Sequence, residues 1–138
     1  MTGFVVDASV AVKWVVAESD SEIADSLRSR ELAAPSLWLL ECANVLWVKA
    51  RRGELRRDQA ISRQRLLQES PVLIVPVERL TDEAVELAHQ LDVTPYDAAY
   101  LALARQRRQP LVTADKKLQR RVIEAEAADL TVLSLADL

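Results

Sequence analysis

Five apolar runs, each three or four residues long, recur along this 138-residue chain: Phe4-Val5-Val6, Leu32-Ala33-Ala34, Val72-Leu73-Ile74-Val75, Leu111-Val112-Thr113 and Leu130-Thr131-Val132-Leu133. Each reads as a short buried strand, and segments with helical periodicity lie between them. Ala8, Ala11, Val12, Val15 and Val16 predict a helix over Ala8 to Val16. A second helix is expected from Ser21 to Arg30, with Ser19, Asp20 or Ser21 as cap and Glu22 in its first turn. Ser36 is placed to cap a long helix that runs through Arg52 and stops at Gly53. Asp58 is placed to cap the next, which reaches about Gln68. Further helices are predicted from Thr81 to about Leu91, from Thr94 to near Arg107 with Pro95 at a favoured early position, and from Lys116 to Ala127. Short apolar strands alternating with helices specify an α/β fold with a parallel sheet covered on both faces. Ligands of such folds sit at the carboxyl ends of the strands, where the strand order switches.

Two of the five runs lead directly to an acid. Asp7 follows Phe4-Val5-Val6, and Asp115 follows Leu111-Val112-Thr113-Ala114. Glu41 lies in the apolar helix Leu37–Trp47, and Asp97 in an early turn of Tyr96–Ala104. A lone buried charge is expensive. Two carboxylates about 4 Å apart repel by roughly 4 kcal/mol at an effective dielectric of 20. If the first and fourth strands are neighbours, the four acids gather at one sheet edge and need a cation. Oxygen ligands suit a hard divalent cation, whereas zinc would call for Cys or His, of which the chain has only Cys42 and His89.

Composition narrows the class further. Half of the residues are hydrophobic, enough for one domain burying roughly 68% of its unfolded surface. No linker, repeat or low-complexity segment divides the chain, and two glycines argue against long flexible loops. One domain over residues 1–138 is therefore expected. A single Cys excludes an internal disulfide, and no apolar stretch approaches the ~18 residues of a membrane span. No signal peptide is evident, so a cytoplasmic protein is expected. The net charge of −3 argues mildly against nucleic-acid binding, yet the bases are clustered: Arg51, Arg52, Arg56 and Arg57; Arg105, Arg107 and Arg108; Lys116, Lys117, Arg120 and Arg121.

The pieces Val6-Asp7-Ala8-Ser9, Glu41 with Ala43-Asn44-Val45-Leu46, Tyr96-Asp97-Ala98-Ala99-Tyr100-Leu101-Ala102-Leu103-Ala104 and Leu111-Val112-Thr113-Ala114-Asp115 together resemble the PIN-domain family, especially VapC-type toxins of bacterial and archaeal toxin–antitoxin pairs. The resemblance extends over essentially the whole chain. It implies a three-layer α/β/α sandwich with a five-stranded parallel sheet and an endoribonuclease dependent on Mg²⁺ or Mn²⁺. It further implies an RNA substrate, a cognate VapB-type antitoxin and a homodimer. Carried over residue by residue, Asp7, Glu41, Asp97 and Asp115 are the metal-binding, catalytic acids. Thr113 matches the hydroxyl residue of the fourth-strand motif, and Ser9 the small polar residue after the first acid. Many relatives carry another acid and an aromatic after the fourth Asp. Here those places read Lys116-Lys117-Leu118, which puts positive charge where a phosphate can approach. Trp14-Val15-Val16 and Leu46-Trp47-Val48 are candidate exposed apolar segments for a partner.

Each site residue also has a plain structural reading. Asp7 and Asp115 suit helix caps, and Asp97 suits the positive end of its helix. Thr113 is ordinary in a strand, Cys42 reads as a small buried residue and His89 as a surface helix residue. Under those readings the chain is a non-catalytic interaction module of the same fold. An RNA-processing nuclease without a toxin role is another alternative. A phosphoacceptor domain would need an acid after the third strand, where Ile74-Val75-Pro76-Val77 stands. A dehalogenase-type phosphatase would want a second acid where Ser9 stands.

Overall fold

The computed structural model describes residues 3–138. Among these, five parallel strands form one sheet: β1 (Phe4–Val6), β2 (Leu32–Pro35), β3 (Val72–Val75), β4 (Leu111–Thr113) and β5 (Val132–Ser134), in the spatial order β3-β2-β1-β4-β5. Seven α-helices connect them: α1 (Ala8–Ala11), α2 (Ser21–Ser26), α3 (Trp38–Arg51), α4 (Arg57–Gln68), α5 (Thr81–Leu91), α6 (Pro95–Arg107) and α7 (Lys116–Glu124). The chain steps outward from β1 to β3, then crosses back to place β4 on the other side of β1. The switch in strand order, where such sheets hold their ligands, therefore lies between β1 and β4.

Alternation along the strands explains the layers. Val5, Ala33 and Leu111 pack into a large core with α3, α5 and α6. Phe4, Val6, Leu32 and Val112 face the opposite side and pack with Ala24, Leu27 and Leu135. Successive side chains of a strand point to opposite faces, so uniformly apolar strands need helices on both. Helix α6 is the central element of the larger core. Every residue from Ala98 to Ala104 is buried, the mark of a helix enclosed all round. Thr94 caps it by accepting a hydrogen bond from the Asp97 amide at 3.2 Å, and Pro95 occupies its first turn.

Several local expectations differ in detail. The segment after β1 is α-helical only to Ala11 and tightens into a 3₁₀ turn over Val12–Trp14. Such tightening is common at helix ends. Likewise α2 passes into a 3₁₀ turn over Leu27–Ser29. Ser36 does not cap α3; its Oγ accepts from the Val77 amide at 2.9 Å and joins the loops after β2 and β3. Asp58 lies inside the first turn of α4, while Gln59 Oε1 accepts from the Arg56 amide at the helix start. Helix α7 stops at Glu124 rather than Ala127, ahead of the left-handed Glu126, and β5 begins at Val132 rather than Leu130. Gly53 does end α3, with a φ of 79° just past the helix. Leu46 is 1% exposed, so it belongs to the core and not to a partner surface, whereas its neighbour Trp47 is 58% exposed. No helix of the described residues is long and apolar enough to cross a membrane.

Burial separates leucines that look alike in the sequence. Leu101 on α6 is fully buried, and Leu66 on α4 is 53% exposed. Truncation of Leu101 to Ala is expected to cost about 2–5 kcal/mol in urea unfolding, and of Leu66 less than about 0.5 kcal/mol. Equal losses would contradict this division between core and surface.

Candidate metal centre

Register builds the first part of the site. Val5 and Val6 pair with Leu111 and Val112, so the next residues of the two strands, Asp7 and Thr113, meet at the carboxyl edge. Thr113 is fully buried; its hydroxyl donates to Asp7 Oδ2 at 2.5 Å and accepts from the Asp115 amide at 2.9 Å. Ser9 Oγ donates to Asp7 Oδ1 at 2.6 Å and accepts from the Ala114 amide at 2.9 Å. The Val10 amide also donates to Asp7 Oδ1, at 3.3 Å. A carboxylate offers about four acceptor positions. Three donors hold Asp7 in one orientation and leave it little more than one position for a ligand.

The other acids arrive from separate elements. Glu41 sits in the first turn of α3, and Tyr100 donates its hydroxyl to Glu41 Oε1 at 2.5 Å. Tyr100 lies three residues beyond Asp97 on α6, so both face one side of that helix. Asp115 caps α7 by accepting from the Lys117 amide at 2.9 Å. The capping readings of Asp7 and Asp115 are thus correct as local structure and compatible with a site. All four acids, with Ser9, Asn44, Tyr96 and Tyr100, line one open cleft of about 830 Å³.

The acids sense one another across this cleft. Burial raises the Asp7 carboxyl above its usual range against the pull of its three hydrogen bonds, and the charge of Asp97 adds to the rise. Glu41 is raised by burial, lowered in part by Tyr100, and raised again by Asp7 and Asp97. Asp97 is raised by burial and by Asp115. The Tyr100 phenol is pushed up by burial and then by Glu41, so it remains a hydrogen-bond donor at neutral pH.

This donor set suits a hard, hydrated divalent cation. It consists of carboxylates that disfavour one another's charge, on a wall of otherwise apolar residues. Among the described residues, no group of three or more His, Cys, Asp or Glu side chains is close enough to hold a metal by protein atoms alone. Mg²⁺ needs no such cage, because it keeps several waters and usually takes only one or two carboxylates.

The remaining candidates separate. Ser9 lies at the cleft and orients Asp7. Thr113 is buried, with its hydroxyl engaged by Asp7 and the Asp115 amide. Lys117 lines a neighbouring cavity together with Asp97 and Asp115. Lys116 is exposed, lines neither cavity, and acts on Asp137 instead. Tyr100 does not stand out in the sequence as a site residue; its spacing of three from Asp97 is the available signal. Cys42 is buried with its thiol pushed up by burial, and His89 is exposed, as expected for both.

A PIN domain family model matches residues 4–124. Ribonuclease VapC3 of Pyrobaculum aerophilum is 38% identical over 118 residues, which cover 83% of this chain and 90% of that protein. The crystal structure of PAE2754 from Pyrobaculum aerophilum is similar with a TM-score of 0.68 and 26% identity, covering 91% of this chain and 90% of that one. VapBC2 from Rickettsia felis, crystallised with a DNA fragment from its promoter, shares the fold at a TM-score of 0.66 and 15% identity, covering 96% and 98%.

The raised carboxyls have a consequence for stability. The native state holds their protons to higher pH than the unfolded chain does. Between about pH 4 and those raised values it therefore binds more protons, and stability falls as pH rises through that window. Asp97→Asn is expected to raise the Tm of the metal-free protein at pH 7, with the gain shrinking as pH is lowered toward 4. A mutant less stable than wild type at pH 7 would show that the charge of Asp97 is satisfied rather than strained.

Proposed function

The chain belongs to the PIN-domain family, and from that premise we propose that it is a VapC-type ribonuclease, the toxin of a toxin–antitoxin pair, which hydrolyses RNA phosphodiester bonds with Mg²⁺ or Mn²⁺. The observation that carries the reading is the convergence of Asp7, Glu41, Asp97 and Asp115 on one cleft from four separate segments. The 38% identity to a protein named as a ribonuclease supports it independently.

The chemistry assigns distinct tasks to these side chains. A divalent cation, when bound, neutralises phosphate charge and lowers the pKa of the attacking water. Asp7, together with Asp97 or Asp115, would hold that cation; Asp7 is held in one orientation for the task by Ser9, Thr113 and the Val10 amide. Glu41 has one oxygen tied to Tyr100 and would orient the water or accept its proton. Lys117 lines a cavity together with Asp97 and Asp115 and would meet the phosphate. A VapB-type antitoxin as partner, a homodimeric state and a cytoplasmic location complete the reading. Exposed Trp47 and half-buried Trp14 supply apolar surface for such contacts.

Thermal unfolding with and without Mg²⁺ or Mn²⁺, followed by an RNA cleavage assay, tests the proposal. At 100 times its dissociation constant, a metal stabilises by about 2.7 kcal/mol. Wild type is expected to gain several degrees in Tm and to cut RNA. Asp97→Asn is expected to lose most of both while retaining its fold. No metal-dependent rise and no cleavage by wild type would favour a non-catalytic module.

A further inference from the structure

We propose that this cleft takes one divalent cation and that Lys117 supplies the positive charge a second ion would bring; the proposal rests on the reading of the cleft as a metal-dependent nuclease site and deepens it. A pair of catalytic ions about 3.5–4 Å apart needs carboxylate oxygens shared between the two as well as ligands for each. The acceptor positions of these acids are already largely taken. Asp7 accepts on both oxygens, from Ser9 at 2.6 Å and the Val10 amide at 3.3 Å on Oδ1, and from Thr113 at 2.5 Å on Oδ2. Glu41 Oε1 accepts from Tyr100 at 2.5 Å, and Asp115 Oδ1 from the Lys117 amide at 2.9 Å. Asp97 alone of the four accepts no side-chain hydrogen bond among the described residues. What is left suits a single hydrated ion: Asp97, one position on Asp7, and the second oxygen of Glu41 or Asp115.

Charge decides on which side of Asp97 and Asp115 that ion sits, because these two acids line two cavities. The larger cleft adds Asp7 and Glu41 and has no Lys, Arg or His in its lining. The smaller cavity adds Asp92, Lys117 and Arg121. Arg121 is ion-paired with Asp92 at 3.7 Å, so those two charges offset each other. Lys117 pairs with no acid among the described residues, yet it shares its cavity with Asp97 and Asp115. Its amide is held by the Asp115 carboxylate, which keeps the root of its side chain at the site. The larger cleft therefore gathers four carboxylates with no compensating base, whereas the smaller cavity already has a cation beside the two acids it shares. A second ion there would be opposed by the ammonium and would find no unpaired acid beyond those two. With one ion on the open side, the ammonium is the group that can neutralise a phosphate oxygen on the other, the task a second ion performs in two-metal sites.

Calorimetric titration of the full chain with Mn²⁺ counts the bound ions, and Mn²⁺ EPR at full loading separates an isolated ion from a coupled pair. Wild type is expected to bind one Mn²⁺ with the spectrum of an isolated ion. Lys117→Glu is expected to bind two, because it removes the opposing charge and adds a ligand. Lys117→Ala is expected to tighten Mn²⁺ binding roughly threefold by loss of a nearby like charge. The same variant is expected to cut RNA roughly tenfold more slowly at saturating Mn²⁺. A residue with a merely structural role would not move the two readouts in opposite directions. Lys117 is exposed, so both variants are expected to match the wild-type Tm without metal. Two ions in wild type, or a count of one that Lys117→Glu leaves unchanged, would overturn the proposal and leave the nuclease reading standing. Unchanged Mn²⁺ affinity and unchanged cleavage in Lys117→Ala would overturn the part assigned to Lys117. A count of one that Lys117→Glu raises to two, with no RNA cleavage by wild type, supports the ion count and overturns the nuclease reading alone. Wild type that binds no Mn²⁺ overturns both.

Discussion

Thr113 donates to Asp7 at 2.5 Å across the carboxyl ends of β4 and β1, and this contact joins the fold to the site. Neither partner can form it alone. Residues 106 positions apart are brought together because β4 returns to pair with β1 in a register that leaves Asp7 and Thr113 next beyond the paired valines. The same hydroxyl accepts from the Asp115 amide and so sets where α7 begins. A one-residue slip between β1 and β4 would turn Phe4 and Val6 toward the wrong layer and separate Asp7 from Thr113 at once. Two apolar layers therefore enforce a polar geometry that has no strong preference of its own.

The electrostatics run against stability. Asp7, Glu41 and Asp97 are all raised by burial, and each also feels another acid of the cleft. Ser9, Thr113, Tyr100 and the Val10 amide lower part of that penalty but cannot neutralise it, because all are uncharged donors. Surface ion pairs such as Arg105–Glu83 at 2.6 Å add little, since partly exposed pairs are screened by solvent. The large core around α6 has to outweigh a site that favours folding only when something cationic shares it.

Much of this was legible in the sequence because apolar runs and acids carry strong signals. Strand positions followed from runs that are apolar on both faces, and Asp7 and Asp115 stood out because they directly follow such runs. Ser36 and Asp58 look like caps in the sequence because a polar residue before a helix has several possible partners, and only the tertiary fold brings the Val77 amide to Ser36. Leu46 and Trp47 look like one exposed segment in the sequence, yet a rotation of about 100° per residue buries one and exposes the other. Helix ends were the least legible, since the 3₁₀ turns after α1 and α2 depend on packing rather than on local sequence. Strand order was open as well, because a parallel sheet leaves no turn signal to say which strands are neighbours.

Helix α6 shows how one segment can serve both core and cleft. Its buried run from Ala98 through Ala104 holds it against the sheet, and four small alanines in that run allow close approach. Its first turn projects Tyr96 and Asp97 into the cleft, and Tyr100, a residue of the core, reaches Glu41 through its hydroxyl. A change in how α6 seats on β1 and β2 would shift Asp97 relative to Asp7 and Glu41 together. The apolar packing of α6 is therefore also what sets the spacing of the acids. That explains why an extended apolar helix, with its single acid at the start, is the segment of this chain in which fold and chemistry are hardest to separate.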